Sequence, residues 1–220
     1  MNPETEKTMA FFGKMTANLT HEFKNILAII QESAGLMEDI MAISPLSKEK
    51  YQERFNNSMA TIKNQLHRGM QLASRFNKFA HAPDQTHAKL DLDETVNHFC
   101  ILTERFARLK HISLQAAKAA TPGASLETNP VLFYMALFYT LESCLSVLPA
   151  DSAIRITPAE TTGKQAVEII CTGEKAPSAD EFSAGLRESS SWDELEDTAG
   201  QLGARIEVDR RELCLRLIFG

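Results

Sequence analysis

The chain has 220 residues and a formal net charge of −6, with 29 acidic side chains against 23 Lys and Arg. This balance argues against a nucleic-acid-binding protein, and the first residues, MNPETEKTMAFF, lack the basic-then-apolar order of a signal peptide. A core can form at this length without disulfides or a metal ion. The cysteines are far apart and form no CxxC pair, which predicts reduced, buried thiols and a cytoplasmic location. They are Cys100, Cys144, Cys171 and Cys214.

Apolar residues in the first 80 positions recur at alternating three- and four-residue steps, which is typical of helices packed along a seam. Pro45 ends the first helical pattern and Ser47 begins the second, so the sequence predicts an antiparallel hairpin. The predicted seam consists of Phe12, Met15, Leu19, Glu22, Ile26, Ile29, Ser33, Leu36, Ile40 and Ile43 in the first helix, and Phe55, Met59, Ile62, Leu66, Gly69, Ala73, Phe76 and Ala80 in the second.

A single hairpin would leave a long apolar stripe on each helix, and soluble proteins seldom expose such a stripe. Two hairpins side by side would cover it, which predicts a homodimer with a four-helix bundle. The alternative is that the hairpin packs on the remainder of its own chain.

The segment HAPDQTHAK, from His81, has no apolar periodicity and contains Pro83, so we interpret it as a linker. His81 and His87 have no third or fourth ligand nearby and are expected to be linker residues, so no metal site is predicted. The predicted domains are residues 1–82, the helical hairpin, and residues 83–220.

Helical and strand-like patterns alternate in the second domain, which predicts one mixed sheet with helices on one face and an α+β chain overall. The predicted strands cover residues 88–93, 111–117, 152–160, 165–172, 204–211 and 212–219, and the predicted helices cover residues 93–110, 131–148 and 192–202. Residues 121–130 and 173–191 are predicted as loops, TTGK as a turn, and the last two strands as hinged near Arg210 and Arg211.

Three features of these helices can be predicted in more detail. Asp93 or Thr95 is expected to cap the first helix, and Ser191 and Glu194 stand in capping-box register at the last. The middle helix, VLFYMALFYTLESCLSVL, contains Glu142 and only just reaches the length that spans a membrane. It is therefore predicted to be a buried core helix, without a membrane role.

The stretch LTHEFKNILAII places polar residues within an apolar helix. His21 lies beside the seam, and a neutral imidazole is a good nucleophile toward phosphorus. Glu22 can hold the proton of the other ring nitrogen, Asn25 can orient a water or an incoming carboxylate, and Lys24 adds positive charge. On spacing alone, the simpler interpretation is an exposed helical histidine beside ordinary charges.

The same stretch resembles the H-box of sensor histidine kinases. In that resemblance His21 matches the phosphoacceptor, Glu22 its acidic neighbour and Asn25 the polar residue that assists phosphotransfer or phosphatase chemistry. The hairpin resembles the dimerisation and histidine phosphotransfer domain of these kinases. Residues 88–220 resemble their ATP-binding α/β sandwich in the order of elements, with AGQLGARIEVD similar to its last helix and strand.

The nucleotide-binding features of that family are missing. Tyr139 and Ser143 stand where the magnesium-holding asparagines would be, and Thr172 stands in place of the adenine-binding aspartate, followed by Gly173 alone. A phosphoacceptor domain joined to a degenerate ATP-binding-like domain resembles the ChpT-type histidine phosphotransferases. This resemblance implies a phosphorelay protein in which His21 exchanges a phosphoryl group with receiver-domain aspartates of response regulators.

Under this interpretation the chain needs no cofactor of its own, because the receiver supplies the magnesium ion. Two alternatives remain open. The first is a divergent ATP-dependent sensor histidine kinase. The second is a non-catalytic dimeric scaffold or inhibitor of a two-component pathway. The sequence does not decide whether it acts as an enzyme.

Overall fold

The computed structural model describes residues 2–42, 48–120, 123–209 and 212–220. It divides into a helical unit, Gly13–Phe79, and a larger unit that combines the chain up to Phe12 with Ala80–Gly220. The predicted domain ranges, 1–82 and 83–220, stay predictions, and the structural division differs from them in assigning the first residues to the larger unit. The α+β class is confirmed: two long helices precede a mixed sheet with further helices.

The helical unit is an antiparallel pair formed by α1, Pro3–Ala42, of which the part from Gly13 belongs to this unit, and α2, Lys48–Ala80. Ile43, Pro45 and Ser47, which were predicted to form the end of the first helix and the turn, lie outside the described residues.

The predicted seam is correct for the first part of α1 but displaced on α2. Leu19, Glu22 and Ile26 are buried in α1. On α2, however, the predicted members Met59 and Leu66 are 37% and 52% exposed. The buried residues of α2 instead share a line with seven-residue spacing, one position before the predicted one: Ser58, Leu72 and Phe79. One chain therefore leaves an apolar stripe on α2 uncovered.

The described residues of the larger unit form two sheets, whereas the sequence predicted one. The strands are β1 Ala88–Asp91, β2 Ser113–Ala116, β3 Ser125–Thr128, β4 Ala153–Thr161, β5 Lys164–Thr172, β6 Ala204–Val208 and β7 Cys214–Phe219. Five of them form a mixed sheet in the order β2-β4-β5-β7-β6, in which only the β2–β4 pair is parallel. The other two, β1 and β3, form a separate antiparallel ribbon.

Strand β3 lies inside the segment that was predicted as a loop. Its backbone pairs with β1 in the register Ala88 to Thr128, so the strand exists because a partner 40 residues away supplies its hydrogen bonds. The β4–β5 hairpin is confirmed, with Thr162 and Gly163 at positive φ in its two-residue turn. Arg210 and Arg211, at the predicted hinge between β6 and β7, lie outside the described residues.

The helices of this unit are α3 Leu92–Arg108, α4 Pro130–Val147, α5 Ala179–Glu188 and α6 Trp192–Gln201. The predicted cap of α3 was wrong, because Asp91 caps the helix by accepting from the Glu94 backbone N–H at 2.9 Å. Asp93 instead accepts from the backbone N–H of Ala119 at 2.7 Å. Because Asp91 caps the helix, the Asp93 carboxylate is available to hold the loop at Ala119.

The capping box was also predicted at the wrong helix. The Ser191 side chain makes no capping hydrogen bond to the backbone of α6. Ser178 and Glu181 instead form a complete capping box at the start of α5. Helix α5 lies in the segment that was predicted as a loop. The signal was present in the sequence as SADE, residues 178–181.

Helix α4 is the core of the larger unit, as predicted. It is the one described helix that is long and apolar enough to cross a membrane, and 72% of that span is buried inside the fold. Asn129 begins it by accepting from the backbone N–H groups of Val131 and Leu132. Since its surface is covered by the other elements, its apolar character is explained by packing. All four cysteines are free and buried, as predicted.

The N-terminal turns of α1 are fixed to this core. The Lys7 ammonium lies 2.7 Å from a carboxylate oxygen of Glu194 and 2.7 Å from one of Asp197, both on α6. The hydrogen bond to Lys7 lowers the pKa of the Asp197 carboxyl. Phe11, which is buried, packs edge-on against Phe138 of α4 with ring centroids 5.3 Å apart. These contacts explain why residues before Gly13 group with the larger unit.

Candidate functional site

Three of the four predicted site residues share one exposed face of α1. His21, Lys24 and Asn25 are all exposed, and a separation of three or four residues in a helix places side chains on the same side. Glu22, in contrast, points toward α2 and is only 7% exposed. The structure thus places the imidazole where another protein can reach it, with an ammonium and an amide beside it.

Glu22 has an ion-pair partner that the sequence analysis did not identify. The Arg68 guanidinium of α2 donates from Nη2 to Glu22 Oε1 at 2.6 Å, and the Glu22 side chain is 9% exposed against 41% for Arg68. The pair lies beside the Gly69–Ile26 contact, where a Cβ on Gly69 would be 3.6 Å from Ile26 Cγ2. A carboxylate on an apolar seam requires a cation opposite it, and that signal was available in the sequence.

The helical unit carries a positive charge around His21, although the chain as a whole is acidic. Residues 13–31 of α1 and 55–79 of α2 contain six cations and a single carboxylate, Glu22. The cations are Lys14, Lys24, Lys63, Arg68, Arg75 and Lys78. Because Glu22 is paired with Arg68, this part of the hairpin has a net positive field, which favours an anionic group or an acidic protein surface.

In the larger unit, Ser143 and its neighbour Glu142, in the helix that was interpreted as lacking nucleotide ligands, make contacts within the fold. Ser143 on α4 is fully buried and accepts from the Ser189 hydroxyl at 2.8 Å. Its neighbour Glu142 accepts from the Ser191 hydroxyl at 3.0 Å. These two polar groups of α4 therefore bond to the segment between α5 and α6.

Residues 173–191, which the resemblance to histidine kinases would make a remnant of their nucleotide lid, contain a packed helix. Phe182 and Leu186 of α5 are fully buried. Gly185 approaches α4 so closely that a Cβ there would lie 3.0 Å from two methyl carbons of Val147. At the start of the segment, a Cβ on Gly173 would lie 2.9 Å from Ser152 Oγ. These close contacts fix α5 against the core.

Tyr139, another of the replaced positions, is buried beside charged side chains. Burial, followed by the carboxylates of Glu194 and Glu142, raises the pKa of the Tyr139 hydroxyl to about 12, while Lys7 acts in the opposite direction. Tyr139 itself is 6% exposed. The charge near this face of α4 is mixed, because Lys7 pairs with Glu194, whereas the charge around His21 is mostly positive.

No protein-family model and no curated protein matches the sequence. Solved structures do resemble the chain. A bacterial phosphotransferase aligns with 95% of this chain and 96% of its own, at 14% identity and a TM-score of 0.49. The Acinetobacter baumannii histidine kinase AdeS aligns with 91% of this chain and 97% of its own, at 10% identity and a TM-score of 0.47.

A third solved structure is that of the histidine kinase ThkA in complex with the response regulator protein TrrA. It aligns with 96% of this chain and 61% of its own, at 19% identity and a TM-score of 0.44. Likenesses this distant do not assign a function, so the function of this chain has to be inferred from its own residues.

Proposed function

We propose that the chain is a histidine phosphotransferase of a cytoplasmic two-component phosphorelay, and that its partners are response-regulator receiver domains. The observation that carries this proposal is the exposed His21, with Lys24 and Asn25 on its face and a basic surrounding, in a chain whose α4 polar groups are bonded internally. This arrangement favours phosphate that arrives on another protein over phosphate from a bound nucleotide.

The chemistry is an in-line phosphoryl transfer. A neutral ring nitrogen of His21 attacks the phosphorus of a receiver aspartyl phosphate, the N–P bond forms, and the P–O bond to the aspartate breaks. The electron pair of that bond leaves with the aspartate carboxylate, and the other ring nitrogen keeps its proton. The reverse step passes the group to a second receiver. Lys24 supplies positive charge and Asn25 orients the incoming group. Glu22 is bonded to Arg68 on the opposite helix, and its predicted role in orienting the ring stays a prediction.

The main alternative is a divergent histidine kinase, and labelling from two donors separates it from the proposal. The chain alone is incubated with radiolabelled ATP and Mg²⁺, and in parallel with the complete set of phosphorylated receiver domains encoded by the source genome. We expect no label from ATP and acid-labile label from at least one receiver. Label on His21 from ATP without a partner, or no transfer from any receiver, contradicts the proposal.

A homodimer is part of the proposed function. The exposed apolar stripe of α2 consists of Met59, Leu66 and Met70, which are 37%, 52% and 73% exposed and share one side of the helix. A second hairpin would cover this stripe in a four-helix bundle. On α1, Leu27 and Met41 are exposed as well, at 63% and 67%.

The substitution Leu66→Asp tests this dimer, because it places a charge in the centre of the stripe. We expect light scattering coupled to gel filtration to give a dimer for the unsubstituted chain and a monomer for Leu66→Asp. The matched control is Leu109→Asp, since Leu109 is similarly exposed, at 61%, but lies just after α3 in the larger unit. A dimer in all three samples, or a monomer in all three, contradicts the predicted interface.

A further inference from the structure

We propose that Arg68 is a positioning residue for the reaction at His21, acting through Glu22. It holds the Glu22 carboxylate against α2 and neutralises it, so that a dianionic phosphoryl group can approach the imidazole one residue away. This inference rests on the proposed function and adds to it a residue on the second helix that does not itself touch the reacting atoms.

His21 and Glu22 lie on different faces of α1. Successive residues on a helix point about 100° apart, so His21 faces outward while Glu22 faces α2. The charge-assisted hydrogen bond between Arg68 Nη2 and Glu22 Oε1 is short, at 2.6 Å, and the carboxylate is largely withdrawn from water. The pair fixes the rotamer of the residue that follows the phosphoacceptor and joins the two helices at the level of His21.

Glu22 is the single carboxylate in residues 13–31 and 55–79, so it is the main source of repulsion for an incoming phosphoryl group in this part of the hairpin. A carboxylate that is screened little by water acts more strongly than an exposed one. Pairing with Arg68 cancels this charge, so cations of both helices, among them Lys24 on α1 and Lys63 on α2, dominate the field that acts on the donor.

The test is the transfer rate from a phosphorylated receiver as a function of receiver concentration. For Arg68→Gln we expect the maximal rate to fall about tenfold, the scale of one uncompensated charge near a reacting group. The half-saturating receiver concentration should change less than the maximal rate does, because the other cations of the hairpin remain to attract an acidic receiver surface. Arg68→Lys restores the cation and should recover the rate to within about threefold.

A double-mutant cycle tests whether Arg68 acts through Glu22. In the background Glu22→Gln there is no carboxylate to neutralise, so adding Arg68→Gln should lower the maximal rate less than about twofold. An equal loss in both backgrounds overturns the inference, because Arg68 would then act directly on the phosphoryl group or the receiver. An unchanged maximal rate in Arg68→Gln, or a change in half-saturation alone, overturns it as well.

Two controls keep the result interpretable. Arg54→Gln removes the same charge from the same helix 14 residues earlier, about 21 Å along the axis, and should leave the maximal rate unchanged. If Arg68→Gln does not fold, the comparison of Glu22→Gln with the double variant still decides, since a loss above about fivefold there contradicts the inference. Transfer that persists in His21→Ala would instead refute the proposed function, so the two failures are distinguishable.

Discussion

Replacing His21 by Ala is expected to abolish phosphorylation of the chain by receiver domains. The imidazole is the proposed nucleophile, whereas the ammonium of Lys24 and the amide of Asn25 have no nitrogen lone pair available to attack phosphorus. The fold should be unaffected, because His21 is exposed on the surface of α1 and its substitution opens no cavity. Acid-labile radiolabel on the chain after mixing with a phosphorylated receiver measures the effect.

The matched control for this experiment is His87→Ala, which removes an exposed histidine outside the hairpin. It should be labelled at the rate of the unsubstituted chain. The same pair of variants separates the relay from a scaffold: a scaffold keeps its effect on the partner's response after His21→Ala, whereas a relay loses it. Equal labelling of His21→Ala and His87→Ala would mean that another residue carries the phosphate.

Replacing Phe182 by Ala is expected to destabilise the larger unit strongly. The ring is fully buried on α5, and truncating a buried phenylalanine costs about 3–5 kcal/mol of unfolding free energy through lost transfer energy and a cavity. For a chain of this size that corresponds to a fall of roughly 10 °C in the unfolding midpoint. The chain has one tryptophan, the buried Trp192 at the start of α6, so its fluorescence reports this unfolding.

The outcome distinguishes a fixed helix from a nucleotide lid. A lid that closes only over bound ATP contributes little to the free chain, so Phe182→Ala would then shift the midpoint by less than about 2 °C. Glu188→Ala is the control, because Glu188 is exposed on the same helix and its loss should change the free energy by no more than about 0.5 kcal/mol. Similar midpoints for the two variants would contradict the packed arrangement of α5.

Elements with a strong local signal were predictable from the sequence. The two long helices, the apolar helix α4 and the β4–β5 hairpin each carry their own periodicity or turn residues, and all four are present. His21 and its exposed neighbours could be identified because the relevant pattern spans only a few residues of a single helix. Local periodicity determines which elements form, because it sets which side of each can be buried.

Features that depend on a distant partner were decided by the tertiary structure. Strand β3 forms because β1 supplies its hydrogen-bond partners. Asp93, predicted to cap α3, instead accepts from the backbone N–H of Ala119. The buried residues of α2 lie one position before the predicted ones. Apolar residues occupy several neighbouring faces of this helix, so its sequence does not determine which face turns toward α1. The sequence shows which hydrogen-bonding groups are present, but only the tertiary structure shows which of them lie close enough to bond.

The candidate site shows the same division. The sequence alone placed His21 in a stretch that resembles an H-box, and it placed Tyr139, Ser143 and Thr172 where that resemblance would have nucleotide ligands. Only the tertiary structure placed Arg68 on Glu22, 46 residues away, and Ser189 on Ser143, also 46 residues away. The physical reason is that a buried polar group must find a partner, and folding decides which of the available groups reaches it.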